Sequence, residues 1–156
     1  ARLFGKLTDL NDDELFERLI LEINQAGLSW NTILNKQANF KKAYHQFKIK
    51  KVASYGAKDK QRLLNDAGII RNRLKIEATI HNAKVILKLQ KEFGSFKNWL
   101  DLQPLKTKDE WVKLFKQTFH FTGDKIVNEF LMSIGILKGA HSANCPIGKK
   151  IKKSAK

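Results

Sequence analysis

The chain has 156 residues and a mass of 17.9 kDa, one domain's worth, and with 42% hydrophobic and 10% aromatic residues it can bury a core without covalent staples. No apolar run approaches the roughly 18 to 20 residues of a bilayer-spanning helix, and a lone cysteine excludes an internal disulfide, so a soluble cytoplasmic protein is expected. A net charge of +15 and a pI of about 10.0 point to a polyanion as partner, nucleic acid ahead of a membrane surface.

Asn11 followed by Glu14 has capping-box spacing, and Leu15, Phe16, Leu19, Ile20 and Ile23 recur at helical intervals until Gly27. Ser29 can cap a second helix whose apolar face is predicted from Trp30, Ile33, Leu34, Ala38, Ala43, Tyr44 and Phe47, with Lys36, Lys41 and Lys42 towards water. Short helices are predicted over 49–55 and 58–65. Asp66-Ala67-Gly68-Ile69-Ile70 reads as a tight turn, with Gly68 free to take a positive φ, that leads directly into a long helix ending near Phe93. Its buried stripe is predicted from Ile70, Leu74, Ile76, Ile80, Ala83, Leu87 and Leu89. Gly94 ends it. A short turn carrying Phe96, Trp99 and Leu100 follows, then a helix opened by Thr107 and Glu110, the turn Phe119-His120-Phe121-Thr122-Gly123, and a last apolar helix from Asp124 to Ile134. No convincing strand is present, so the fold class is all-α. The expected domain spans 1–137, followed by a basic tail, 138–156, with six lysines and no acid. The chain begins at Ala1 rather than at a methionine, and a preceding segment is expected.

Charge is unevenly spread. Residues 1–22 hold three basic and six acidic groups, which leaves 27 basic and 9 acidic for the rest, and no acid occurs between Ile23 and Lys58. Into this positive surface opens the stretch LILEINQAGLSW, residues 19–30, where the carboxylate of Glu22 on an apolar helix and the indole of Trp30 flank one interhelical turn. Such a pair suits a planar cationic ligand, since the ring face attracts positive charge and the carboxylate accepts N–H bonds. The plain alternative is a solvated Glu22 and a Trp30 that anchors the core. Arg71, Arg73 and Lys75 cluster where the long helix begins, an arrangement that opposes the helix dipole unless an anion such as a phosphate sits there.

QAGLSW, NDAGIIR at 65–71 and FHFTG at 119–123 together resemble the bacterial 3-methyladenine DNA glycosylase I family, in order from about Leu15 to Cys145. The resemblance implies an all-α helix-hairpin-helix base-excision repair enzyme whose partner is double-stranded DNA containing 3-methyladenine. It also implies a bacterial, DNA-associated, cytoplasmic setting, and a monomer is expected. Residues 65–71 are similar to the hairpin that grips the DNA backbone, so Gly68, Ile69, Ile70, Arg71 and Arg73 are the candidate DNA-binding residues, with Ile70 where the commoner form has a second glycine.

Methylation at N3 makes adenine cationic and a good leaving group, so recognition does much of the catalysis. Glu22 and Trp30 match the family's base-recognition Glu and Trp within LExxQAGLSW, with Glu22 as the catalytic candidate; further stacking tyrosines are implied upstream of the matching region. Leu28 is the candidate to fill the gap left by a flipped nucleotide. No cofactor is expected for catalysis. Asp101 is not assigned as an activating aspartate, and the lysines read as solvated, so a monofunctional hydrolase is favoured over a lyase. His45, His81 and His120 show no partner that suggests a metal or a triad. His141 and Cys145 match two ligands of the family's structural zinc, whose other Cys and His lie in the N-terminal segment. The rival readings are a noncatalytic helix-hairpin-helix DNA-binding protein and a basic RNA-binding protein. The latter is disfavoured because RNA modules display their aromatics on strands or in repeat grooves.

Overall fold

The computed structural model describes residues 10–25, 29–104 and 106–136, and for Trp30 the backbone alone. Among the described residues eight α-helices run in chain order: α1 Asp12–Gln25, α2 Trp30–Ala43, α3 Ile49–Ala53, α4 Ala57–Leu64, α5 Arg73–Phe93, α6 Phe96–Leu102, α7 Lys108–Thr118 and α8 Asp124–Ser133. The described residues form no strand, which bears out the all-α expectation, and no helix among them is long and apolar enough to cross a membrane.

The first helix organises the rest. Its capping box is formed as the spacing predicts, with Asn11 Oδ1 accepting from Glu14 N and Glu14 Oε1 from Asn11 N, both at 2.9 Å. The two acids that follow act on other helices. Asp12 accepts from the N–H groups of Phe96 and Lys97 at 2.9 and 3.0 Å and so caps α6, while Asp13 accepts from Ile49 N at 3.1 Å and caps α3. Leu15, Phe16, Leu19, Ile20 and Ile23 are fully buried, and Arg18 Nη1 donates to Ser133 O at 2.9 Å, which ties α1 to the end of α8.

Two aromatic clusters fill the interior. Phe16, Phe40, Tyr44 and Phe47 pack between α1, α2 and the turn after it. Phe96, Trp99, Phe115, Phe119 and Phe130 join α6, α7 and α8. The turn itself, His45–Phe47, is left-handed, with φ of 50°, 61° and 56° at three successive non-glycine residues. That conformation is unfavourable for L-residues and is held here by burial of Phe47 and by the contact of His45 Nδ1 with the Tyr55 hydroxyl.

Several expectations need correction. On α2, Leu34 is 47% exposed and Ala38 is also exposed, while Phe40, absent from the expected face, is fully buried; a narrow stripe of Ile33, Phe40 and Ala43 does the packing. The long helix starts at Arg73, not at Ile70, because Asn72 Oδ1 accepts from Lys75 N and caps it. With that start, the buried stripe is Ile76, Ile80, Ala83, Ile86 and Leu89, and Leu74 turns outward at 62% exposure. Gly68 does not adopt a positive φ; among the described glycines only Gly94 and Gly135 do. Its smallness serves a close approach instead, since a Cβ there would meet the Asn39 side chain at 3.0 Å and Asp66 Oδ1 at 3.1 Å.

Candidate base pocket and DNA-binding surface

Glu22 lies in the last half of α1, between fully buried Leu19 and Ile23, and only 8% of it is exposed. Withdrawal from solvent is the main reason its carboxyl is pushed up to about 7; Glu129 of α8 adds to the rise, while Arg18 and Lys125 oppose it. The reading of Glu22 as a plain solvated residue therefore fails. A carboxyl poised near neutrality gains charge readily when a cation arrives, which is the property expected of a group that recognises one.

Beyond α1 the chain passes through residues 26–28, which lie outside the described residues, as does Leu28 with them. Ser29 then caps α2, its hydroxyl accepting from Thr32 N at 3.1 Å, so Trp30 occupies the first position of that helix. Glu22 and the Trp30 backbone thus stand at the facing ends of α1 and α2. The Trp30 side chain, His141 and Cys145 lie outside the described residues. Among the described residues no group of three or more His, Cys, Asp or Glu side chains could hold a metal. His141 and Cys145 alone would fill half of a tetrahedral zinc site.

The segment 65–72 joins α4 to α5 as a hairpin. Asp66 Oδ1 accepts from Gly68 N at 2.8 Å and Asp66 O from Ile69 N at 3.4 Å, so these two amides are used within the turn. Among the described residues neither the Ile70 nor the Arg71 N–H is bonded, so both are available to an outside acceptor. Arg71 is exposed beside them, and Arg73, 74% exposed, opens α5 and pairs with Glu77 at 3.4 Å. Lys75 departs from the expectation of solvated lysines, because partial burial pushes its ammonium down.

Sequence reasoning missed Lys125 and Glu129, the α8 groups that act electrostatically on Glu22. Their i,i+4 spacing on one helix was a readable signal, but their approach to α1 is tertiary. It also missed that His81 and His120 stack with ring centroids 3.6 Å apart.

Residues 4–114 match the family model of methyladenine glycosylases. The chain belongs to the methyladenine glycosylase family. It is 34% identical to the DNA-3-methyladenine glycosylase of Haemophilus influenzae, over 88% of this chain and 84% of that one. With DNA-3-methyladenine glycosylase 1 of Escherichia coli it shares 33% identity, over 88% and 83% of the two chains. A structure of 3-methyladenine DNA glycosylase I from Staphylococcus aureus, determined for its recognition of 3-methyladenine, superposes with a TM-score of 0.74 at 32% identity over 87% of this chain and 82% of that one. The family and fold expected from QAGLSW, NDAGIIR and FHFTG are therefore borne out.

Proposed function

We propose that this methyladenine glycosylase family member excises 3-methyladenine from alkylated double-stranded DNA by N-glycosidic hydrolysis and leaves an intact abasic strand. The observation that carries the reading is Glu22: a carboxylate buried against α8 and raised to about 7, at the turn into Trp30. The Ile70 and Arg71 amides with the Arg71 and Arg73 guanidinium groups would hold backbone phosphates, and Leu28 would occupy the gap left by the flipped nucleotide. In the pocket the N3-methylated base carries a positive charge. Glu22 binds that charge as carboxylate and Trp30 offers it a ring face, whereas neutral adenine gains little from either.

When the C1′–N9 bond breaks, its electron pair stays with the base, which leaves neutral; water adds to C1′ and releases a proton. No lysine nucleophile is required. A charge-assisted hydrogen bond contributes about 1.5–3 kcal/mol, so Glu22→Gln should slow release of 3-methyladenine from methylated DNA roughly ten- to a hundredfold, with binding to undamaged duplex nearly unchanged. The assay separates free 3-methyladenine from 7-methylguanine. Equal release by both proteins would refute the carboxylate's role, and no release by either, with DNA binding intact, would favour the noncatalytic DNA-binding alternative.

A further inference from the structure

Glu22 meets α8 across a contact whose register can be followed turn by turn. Arg18 Nη1 donates to Ser133 O at 2.9 Å, which fixes one rung between α1 and α8. Arg18 and Glu22 stand at i and i+4 on α1, and Lys125, Glu129 and Ser133 stand at i, i+4 and i+8 on α8 and share one face of it. The α8 groups that act on Glu22 are Glu129 first and Lys125 after it. A step of about 6 Å along α1 from Arg18 to Glu22 is thus matched by a step of one turn back along α8 from Ser133 to Glu129, and the two helices run in opposite directions. A further turn back places Lys125 towards the end of α1, whose last turn carries no basic residue of its own. Glu129 is half-buried in this contact and Lys125 is exposed at its edge.

We infer that Glu129 and Lys125 are positioning residues of opposite sign that act through Glu22, Glu129 as a like charge that withholds its negative charge until a cationic base arrives and Lys125 as a counter-charge that restores part of it. The inference deepens the base-recognition role proposed for Glu22 and rests on it. Neither residue needs to touch the base. Two carboxylates facing each other across a helix contact repel while both are ionised, and a cation beside them relieves the repulsion. The pair therefore responds to the charge of the base, where a lone carboxylate on so basic a protein would already be neutralised by its surroundings. Burial is the first cause of the raised value of Glu22 and Glu129 the second, while Arg18 of α1 and Lys125 oppose them; among the described residues no charged group of α2, α3, α5 or α6 is among those that shift it. Glu17, the preceding acid of α1, is engaged with α2, accepting from Gln37 Nε2 at 3.1 Å and pairing with Lys41 at 3.9 Å.

The test follows release of 3-methyladenine from methylated duplex DNA as kcat/KM against pH, which reports ionisation in the free enzyme. In wild type the acid limb should fall as pH drops through about 7, where Glu22 takes up its proton. Glu129→Gln should move that limb down by roughly half a pH unit and Lys125→Gln should move it up by a similar amount, so that at about pH 6 release rises roughly threefold in the first and falls roughly threefold in the second. The double substitution should return the limb close to its wild-type position. A packing defect lowers the plateau and leaves the limb where it was, so displacements of opposite sign separate an electrostatic role from a structural one. Limbs that coincide in all four proteins, or that move in the same direction in both single variants, would overturn the inference. Titration of the Glu22 carboxyl by carbon NMR, assigned with Glu22→Gln, reads the same displacements with no substrate present. Displaced titrations in a protein that releases no base refute the enzymatic reading alone, and unmoved titrations in one that does release base refute the roles of Glu129 and Lys125 alone.

Discussion

Glu22→Gln should also stabilise the fold, and the pH at which it does so follows from the structure. The carboxyl has its folded value near 7 against 4.5 in an unfolded chain, and burial is the first cause. Below 4.5 it is protonated in both states and costs nothing. As pH rises, the unfolded chain ionises first, so folding loses stability progressively up to about 7, and the penalty is constant above that. The gap is equivalent to about 3 kcal/mol, and burial of all but 8% of the residue means that solvent screening removes little of it. For a chain of this size about 3 kcal/mol corresponds to a melting-temperature rise of roughly 6–12 °C, an upper limit because a buried amide needs partners of its own. Thermal melts of both proteins at about pH 8 and about pH 4.5 should show the gain at the first and almost none at the second. Equal melting temperatures at both would refute the reading of Glu22 as a destabilised buried carboxylate, whatever its effect on base release.

Neutralising Arg71 and Arg73 together should weaken binding to all duplex sequences about equally and reduce the salt slope by roughly one for each phosphate no longer neutralised; an unchanged slope would remove the hairpin from the DNA interface. Trp30→Ala should cut base release roughly tenfold or more by removing the stacking face, with circular dichroism showing the helices retained; release at the wild-type rate would take the indole out of the pocket.

What the sequence revealed was mostly what is decided locally. The reciprocal bonds of Asn11 and Glu14 and of Thr107 and Glu110, and the Ser29 and Ser95 caps, depend on residues three positions apart, so spacing alone places them. Asn72 was an equally local cap, and overlooking it shifted the start of α5 by three residues and turned Leu74 from an expected core residue into an exposed one. Exposure of Leu34 and burial of Phe40 follow from how α2 lies on the turn at His45–Phe47, whose left-handed backbone has no signature in residue type. At the site, Glu22 was legible as a charge out of pattern. Its electrostatic partners Glu129 and Lys125, far away along the chain on α8, and the stacking of His81 on His120 depend on tertiary packing and had no sequence signal of comparable strength.

A carboxylate whose folded value lies near neutrality can discriminate between cationic and neutral bases more sharply than one at 4.5. An ordinary carboxylate at pH 7 is fully ionised and already solvated or paired, so a neutral base and a cationic base both displace something from it. Glu22 is about half protonated at that pH, and a cation must first draw it to the ionised form, which costs well under about 1 kcal/mol at half ionisation and is outweighed by a partly dry charge pair. A neutral adenine draws no such response and meets a carboxyl that is half the time a neutral acid. Protein stability is spent on this: the ionised form opposes folding, and the rigidity that holds it in place comes from Asp12 and Asp13 capping α6 and α3 and from Arg18 on the end of α8. The preference for 3-methyladenine over unmodified adenine should therefore rise as pH increases through about 7, because below that value the cation must ionise a protonated acid while the neutral base gains nothing from the charge, and the ratio of 3-methyladenine to adenine release measured across pH is its direct readout. A ratio that does not change between about pH 6 and about pH 8.5 would show that the raised value of Glu22 is a cost of burial without a role in selection.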